Sequence, residues 1–216
     1  MTEKKYTNPA TIALHAGWRK DETTNSVTVP IHMTSSYQFD STDHAANLFA
    51  LSELGNIYSR IMNPTNAVFE ERIAALEGGV AALGLASGQA ASAYAIQNLC
   101  SNGDNFVASS HLYGGTYNQF KNPFSDMGIE VRFVDPSDPQ NFADATDDKT
   151  RAYYGEVLPN PSFQVFPLQE VADLGRPLGI PLIVDNTAAP LICRPFDHGA
   201  AIIIHSATKY IGGHGT

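Results

Sequence analysis

Residues 106–134, FVASSHLYGGTYNQFKNPFSDMGIEVRFV, contain two short apolar runs separated by a stretch with helical character. The runs at 106–109 and 129–134 are typical of buried strands, and residues 114–127 are predicted to form the helix between them. Strands that alternate with helices along a chain indicate a parallel sheet covered by helices. This stretch therefore predicts an α/β fold.

The same alternation continues on both sides of this stretch. Further helices are predicted at 88–99 and 168–178, and further strands at 80–86, 151–157, 181–185 and 201–205. The intervening residues 135–150 are dense in Asp and Pro and predict a surface loop with one helical turn. The sequence as a whole predicts a mostly parallel sheet with helices on both faces.

Residues 1–62 differ in composition from the rest of the chain. They are rich in Thr, Ser, Asn and His, and their weak periodicity predicts an extended arm with short helical pieces. Asn63-Pro64 can then cap and start a helix that Gly78-Gly79 ends. We therefore expect an arm, 1–62, that contributes to a neighbouring subunit's site, and a main domain, 63–216. Because the sequence stops in a glycine-rich loop, we also expect a longer polypeptide.

Charge and composition argue against several classes of function. The net charge of −9 would repel a nucleic-acid backbone. Cys100 and Cys193 form no C-x-x-C pair and suit reduced thiols. The N-terminus lacks the apolar core of a signal peptide, and no apolar run is long enough to cross a bilayer. A cytoplasmic protein that binds neither nucleic acid nor membrane is expected.

Motifs of other enzyme classes are missing from the sequence. The seven histidines show no H-E-x-x-H spacing, so no metal site is predicted. Neither G-x-x-x-x-G-K-[ST] nor G-x-G-x-x-G is present, which argues against the simplest nucleotide sites. Ser87 is preceded by Leu85 where a hydrolase nucleophile elbow would need glycine.

Ligands of open parallel sheets bind at the carboxyl ends of the strands, so the residues after each predicted strand are the candidates. They are Ser87-Gly88-Gln89, Tyr113-Gly114-Gly115, Asn160, Asp185-Asn186-Thr187 and Ser206-Ala207-Thr208-Lys209. Backbone N–H groups at a helix start, together with the hydroxyls of Ser206 and Thr208, could bind a phosphate. Taken alone, Ser87-Gly88 could equally be an ordinary helix cap.

Lys209 and Asp185 each admit a functional and a structural interpretation. A lysine in a partly desolvated pocket near a phosphate can act as a Schiff-base nucleophile and proton shuttle, whereas an isolated one is usually a solvated surface charge. Asp185 could hold a proton on a pyridine nitrogen or cap a turn. Tyr113 could face a ligand or pack internally. Arg60, close to Tyr58, could clamp a phosphate or form a surface salt bridge.

Taken together, these residues resemble the Cys/Met metabolism group of pyridoxal-phosphate (PLP) enzymes, which have the aspartate-aminotransferase-like fold. The similar segments are YSRIMNPT (58–65), LEGG (76–79), SGQAA (87–91), LYGGT (112–116), VDNT (184–187) and RPFDHGA through HSATKYIGGHG (194–215). Their order and spread over the chain make a chance match improbable.

The resemblance implies a role for each candidate residue. Lys209 would hold PLP as a Schiff base, and Asp185 would pair with the pyridine nitrogen. Tyr113 would stack on the ring, and Asn160 would lie near its phenolic oxygen. The remaining cofactor contacts implied are Ser87, Gly88, Gln89, Thr187, Ser206 and Thr208, with Tyr58 and Arg60 reaching the phosphate of a neighbouring subunit. Such shared sites imply a homo-oligomer, a tetramer built from dimers.

Within the group, the segment FALSELGNIYSRIMNPT and the Gln of SGQAA are most similar to the sequences of O-acetylhomoserine sulfhydrylases. The resemblance implies γ-replacement on O-acetyl-L-homoserine with sulfide or methanethiol, a transferase reaction of methionine biosynthesis. Methionine γ-lyases tend to carry cysteine where this chain has Gly115. The alternatives are methionine γ-lyase activity, cystathionine γ-synthase or β-lyase activity, or a silent PLP-binding fragment. The family's smaller C-terminal domain, which carries the arginine for the substrate carboxylate, is absent from these residues.

Overall fold

The computed structural model describes residues 6–214, and the chain divides after Gly84 into two compact units. The first unit contains helices α1 (Pro9–His15), α2 (Thr42–Phe49) and α3 (Pro64–Glu77). The third begins and ends where the sequence predicted: the Asn63 side chain accepts a hydrogen bond from Thr65 N at 2.9 Å, and Gly78 ends the helix with φ of 78°. Glycine tolerates this left-handed conformation without steric cost.

The second unit is an α/β domain. In chain order its elements are α4 (Gly88–Leu99), β1 (Asn105–Ser109), α5 (Gly114–Lys121), α6 (Pro123–Asp126), β2 (Glu130–Val134), α7 (Gln140–Asp144), β3 (Thr150–Glu156), α8 (Leu168–Gly175), β4 (Leu182–Asp185) and β5 (Ile202–Ile204). The strands form one parallel sheet in the order β2-β1-β3-β4-β5. The predicted parallel sheet is confirmed.

Helices cover both faces of this sheet. Successive side chains of a strand point to opposite faces. Phe106 of β1 and Tyr154 of β3 therefore pack against α4, α5 and α6 on one face. Val107 and Tyr153, their chain neighbours, pack against α7 and α8 on the other. Burial on both faces explains why the strands are continuous apolar runs in the sequence.

The strand predicted at 80–86 is wrong. The run VAALGLA pairs with no strand among residues 6–214, and the side chains of Val80 and Leu83 are exposed. An apolar run becomes a strand only where another strand offers hydrogen bonds, which local composition does not report. No helix in the described part of the chain is long and apolar enough to cross a membrane.

Prolines shorten two of the predicted helices. The helix predicted at 114–127 ends at Lys121 and resumes at Pro123 as α6. Proline lacks an N–H group and disfavours a helical conformation for the residue before it, here Asn122. Beyond Gly175 the segment predicted as helix continues as a 3₁₀ turn, Arg176–Leu178, with Pro177 at its centre.

Candidate active site

The start of α4 and the end of β5 meet at the carboxyl edge of the sheet. Gly88, the first residue of α4, lies against Ser206, and a Cβ at position 88 would be 2.8 Å from the Ser206 Cβ. The Ser87 hydroxyl accepts a hydrogen bond from Ala90 N at 3.1 Å. The N–H groups of Gly88 and Gln89 have no intrahelical partner, as is general for a first helical turn. This backbone surface is suited to an anion such as phosphate.

A network of hydrogen bonds links the ends of β4 and β5. Asp185, the last residue of β4, accepts a hydrogen bond from Thr187 N at 2.9 Å, and Thr187 Oγ1 accepts one from Ser206 N at 2.7 Å. The Ser206 carbonyl accepts a further bond from Lys209 N at 3.1 Å. The Asp185 carboxylate and the turn that carries Lys209 therefore belong to one network.

Asp185 is a largely buried acid. Burial raises the pKa of Asp185, while hydrogen bonds from Thr187 and the positive charge of the nearby His205 oppose that shift. Among residues 6–214, no salt bridge joins Asp185 to a lysine or an arginine. A buried carboxylate is costly unless a hydrogen-bonded or cationic partner compensates for the lost hydration. This position is therefore suited to a protonated ligand nitrogen.

Tyr113 lies at the end of the loop that follows β1. Its ring lies over Gly115, since a Cβ at position 115 would be 2.5 Å from the ring Cε1. Its backbone N–H donates to Glu156 Oε1 at 2.7 Å. Glu156 ends β3 and is paired in register with Asp185 of β4. Tyr113 is half exposed at this edge of the sheet, so part of it is accessible from solvent.

Glu156 was missed by the sequence analysis. It is buried, and its pKa is raised to about 7, first by burial and then by the charge of Asp185, while hydrogen bonds from the backbone N–H groups of Tyr113 and Asn160 oppose the shift. The sequence did contain a signal: one acid ends the otherwise uncharged run AYYGE, and glutamate is rarely buried without a partner.

One further contact joins the two helices that begin at this edge. Gln89 Nε2 donates to Thr116 Oγ1 at 2.9 Å, which connects the first turn of α4 to α5. The contacts thus run from Gly88 to Ser206, through the β4 and β3 ends, to the Tyr113 loop and back to α4. Most of the residues that the sequence singled out after separate strands are therefore brought together.

Three groups of predicted residues are placed differently. Lys209 is exposed in the turn after β5, as is Thr208, so the partly desolvated pocket expected around the lysine is not seen in the described residues. The side chain of Asn160 is exposed as well. Tyr58 and Arg60 belong to the first unit, where the guanidinium lies 4.8 Å from the centre of the Tyr58 ring. Their role toward a neighbouring subunit stays a prediction.

Comparison with known proteins shows which family has this arrangement. The sequence model of the Cys/Met metabolism PLP-dependent enzymes matches residues 10–216. The chain belongs to this family. Two family relatives are the O-acetyl-L-homoserine sulfhydrylase of Leptospira meyeri, 54% identical over 96% of this chain and 47% of its own length, and the homocysteine/cysteine synthase of Saccharomyces cerevisiae, 50% identical over 95% and 47%. The chain spans about half the length of these curated relatives.

Solved structures agree with the family assignment. A protein from Campylobacter jejuni, assigned as an O-acetylhomoserine (thiol)-lyase and holding N′-pyridoxyl-lysine-5′-monophosphate, superposes with a TM-score of 0.94 at 40% identity. The match covers 98% of this chain and 52% of that protein. The cofactor of the family is pyridoxal phosphate.

The residues at the sheet edge fit pyridoxal phosphate. Gly88 brings the first turn of α4 against Ser206, and a side chain at position 88 would collide with Ser206, so the unpaired N–H groups of that turn and the turn after β5 lie next to each other. Asp185 is a largely buried acid of the kind that a pyridine nitrogen requires. Tyr113 offers a half-exposed ring, and Lys209 offers an exposed amine on a turn whose backbone joins the same network. Each part of the cofactor therefore has a partner of suitable chemistry.

Proposed function

We infer that this chain forms the cofactor-binding part of an enzyme that performs γ-replacement on O-acetyl-L-homoserine. The observation that carries the proposal is the network from Asp185 through Thr187 and Ser206 to the Lys209 turn. It joins the Asp185 carboxylate, Ser206 and the turn that carries Lys209 at one edge of the sheet, where they could serve as the acid, the phosphate contact and the amine of a cofactor site. The names of the relatives support the choice of substrate.

The proposed reaction replaces the carbon–oxygen bond at the γ-carbon of the substrate by a carbon–sulfur bond. The carbon–oxygen bond breaks and acetate leaves with the bonding electrons, while the sulfur of hydrosulfide or methanethiol supplies the pair for the new carbon–sulfur bond. The products are acetate and either homocysteine or methionine. When bound, the cofactor supplies an electron sink that makes the α-proton of the substrate acidic.

Residues of this chain would bind the cofactor and move the protons. Asp185 would hold the proton on the pyridine nitrogen, and the Tyr113 ring would stack on the cofactor while Asn160 lies near its phenolic oxygen. The Nζ of Lys209 would hold the cofactor at rest and, once released by the substrate amine, would carry protons between the α- and β-carbons. The phosphate would be bound by Ser87, Gly88, Gln89, Ser206 and Thr208, with Thr187 orienting Ser206.

A neighbouring subunit would complete the site. Tyr58 and Arg60 would bind the phosphate of that neighbour's cofactor, because a guanidinium can contact phosphate through two parallel hydrogen bonds. The shared site therefore requires at least a dimer. The proposed full assembly is a homotetramer built from two such dimers. The expected location is the cytoplasm.

The geometry of the Tyr113 loop favours replacement over γ-elimination. Methionine γ-lyases tend to carry cysteine at the position of Gly115, whereas here the Tyr113 ring occupies the space that a side chain would need. A lyase-like side chain would therefore require the ring to move. This relation supports a sulfhydrylase rather than a methionine γ-lyase.

Product analysis with and without sulfide tests the proposal. The purified protein is incubated with pyridoxal phosphate and O-acetyl-L-homoserine, and the products are followed by proton NMR. We expect homocysteine and acetate only when sulfide is present. Formation of 2-oxobutyrate, ammonia and acetate without sulfide would identify a γ-lyase, and product formation only with cysteine would identify a cystathionine γ-synthase. Absence of turnover, equal to that of Lys209→Ala, would identify a silent fragment.

A further inference from the structure

A single buried carboxyl group contacts two of the loops that form the candidate site. Glu156 Oε1 accepts a hydrogen bond from Tyr113 N at 2.7 Å, and the N–H of Asn160 also hydrogen-bonds to this carboxyl group. Tyr113 follows β1 and Asn160 follows β3. Glu156 therefore ties the loop after one strand to the loop after its neighbour in the sheet.

The Tyr113 backbone makes one further hydrogen bond, in which its carbonyl accepts from Tyr117 N at 3.0 Å. Tyr113 is the N-cap residue of α5, but its side chain makes no capping hydrogen bond. Gly114 and Gly115 follow directly and add no side-chain restraint. The direction of the ring therefore depends on the backbone of Tyr113, whose N–H is held by Glu156.

A buried acid at this position is unfavourable by itself. Glu156 lies beside Asp185 in the register of β3 and β4, and the charge of Asp185 adds to burial in raising the pKa of Glu156. In the described residues no salt bridge neutralises Glu156. These residues also contain no cluster of three or more acidic, histidine or cysteine side chains that could bind a metal ion beside it. The contacts that compensate are the backbone N–H groups of the two site loops.

We propose that Glu156 is a positioning residue, which holds the loop of Tyr113 against the end of β3 so that the ring keeps its place over Gly115 at the edge of the sheet. This proposal rests on the proposed function, since it assigns the ring a ligand to face. Glu156 itself does not touch the ligand: its Oε1 is directed to Tyr113 N. The residue acts through the backbone of its neighbour.

Hydrogen exchange at the Tyr113 amide tests this role without the cofactor. We compare the wild type with Glu156→Gln, which keeps an acceptor oxygen, and with Glu156→Ala, which removes it. Exchange of the peptide covering 112–117 is expected to stay slow in the wild type and the Gln variant and to become at least tenfold faster in the Ala variant. Unchanged exchange in Glu156→Ala would overturn the proposal.

Two further variants separate positioning from general loss of stability. Tyr153→Phe removes another hydrogen bond of β3, the partly buried one between Tyr153 Oη and Thr146 Oγ1 at 2.7 Å, and is expected to leave exchange at 112–117 unchanged. Faster exchange there in Tyr153→Phe would also contradict the proposal. If Glu156→Ala does not fold, Glu156→Leu fills the volume and equally lacks an acceptor.

The circular dichroism of added pyridoxal phosphate supplies the second readout. We expect the visible band of the wild type to persist in Glu156→Gln and to fall at least threefold in Glu156→Ala at equal cofactor occupancy. An unchanged band in Glu156→Ala would show that the ring does not depend on Glu156. A wild type without any band would instead contradict the proposed function, while hydrogen exchange would still decide the role of Glu156.

Discussion

Gly88 lies so close to Ser206 that a Cβ added at position 88 would be 2.8 Å from the Ser206 Cβ and 3.0 Å from its Cα. The first turn of α4 and the turn after β5 can approach this closely only because residue 88 has no side chain. The N–H groups of that helical turn and the Ser206 hydroxyl consequently line the same small surface. This is the surface to which we assign the cofactor phosphate.

Gly88→Ala is expected to weaken binding of pyridoxal phosphate at least tenfold, or about 1.4 kcal/mol. The added methyl must displace the Ser206 backbone, which would also lower the free energy of unfolding by about 1–3 kcal/mol. Cofactor titration by fluorescence and chemical denaturation measure the two effects. Gly114→Ala is the matched control, because a Cβ at position 114 meets no atom within 4 Å. Equal affinities for the two variants would contradict the assignment.

Thr187→Val is expected to weaken the connection between β4 and β5. The substitution keeps the shape of the side chain but removes the Oγ1 that accepts the Ser206 N–H at 2.7 Å. A partly buried N–H left without an acceptor costs about 1–3 kcal/mol, so both the unfolding free energy and the cofactor affinity should fall. Thr187→Ser keeps the hydroxyl and should restore cofactor affinity. If Thr187→Val binds pyridoxal phosphate like the wild type, the network is not needed for the site.

Gly115→Ala is expected to move the Tyr113 ring and to leave the fold intact. The new Cβ would start 2.5 Å from the ring Cε1, and the ring can rotate away at little cost in stability. The absorbance and fluorescence of bound pyridoxal phosphate should therefore change while the thermal midpoint stays within a few degrees of the wild type. A spectrum identical to that of the wild type would argue against stacking of Tyr113 on the cofactor.

The stability of the protein should depend on pH through Glu156. Its pKa in the folded state is raised from 4.5 to about 7, so the folded state binds the proton more tightly than the unfolded chain. Stability contributed by this group is therefore full below pH 4.5 and is lost as pH rises to about 7. The loss is on the order of 3 kcal/mol, at about 1.4 kcal/mol for each pKa unit.

Denaturation of the wild type and Glu156→Gln across this pH range isolates the effect. The difference in unfolding free energy between the two proteins should shift in favour of the Gln variant as pH rises from 4.5 to 7. A constant difference over this window would show that Glu156 titrates normally in the folded protein.

The sequence predicted the sheet because its strands are buried on both faces. Runs such as that of β4, Leu182–Asp185, stand out as uninterrupted apolar stretches, and the acid that ends this run marks the edge of the sheet. The N-cap of α3 at Asn63 was equally predictable, since Asn-Pro is a local helix start. These features depend only on neighbouring residues.

The features that were missed depend on partners distant in the sequence. Residues 80–86 have the composition of a strand but no strand to pair with in the described chain, as the exposure of Val80 shows. Glu156 gains its role from the N–H of Tyr113, 43 positions away. The contact between Gly88 and Ser206 spans an even longer separation. No local pattern reports such pairings, and only the folded arrangement reveals them.

The most direct test of the central claim is borohydride reduction of the purified protein after addition of pyridoxal phosphate, followed by peptide mapping. We predict a visible absorbance band that disappears on reduction and a pyridoxyl group recovered on the peptide that contains Lys209. Lys209→Ala should show neither the band nor the labelled peptide. A wild-type protein that gains no band, or that carries the label on another lysine, would contradict the assignment of Lys209 as the residue that holds the cofactor.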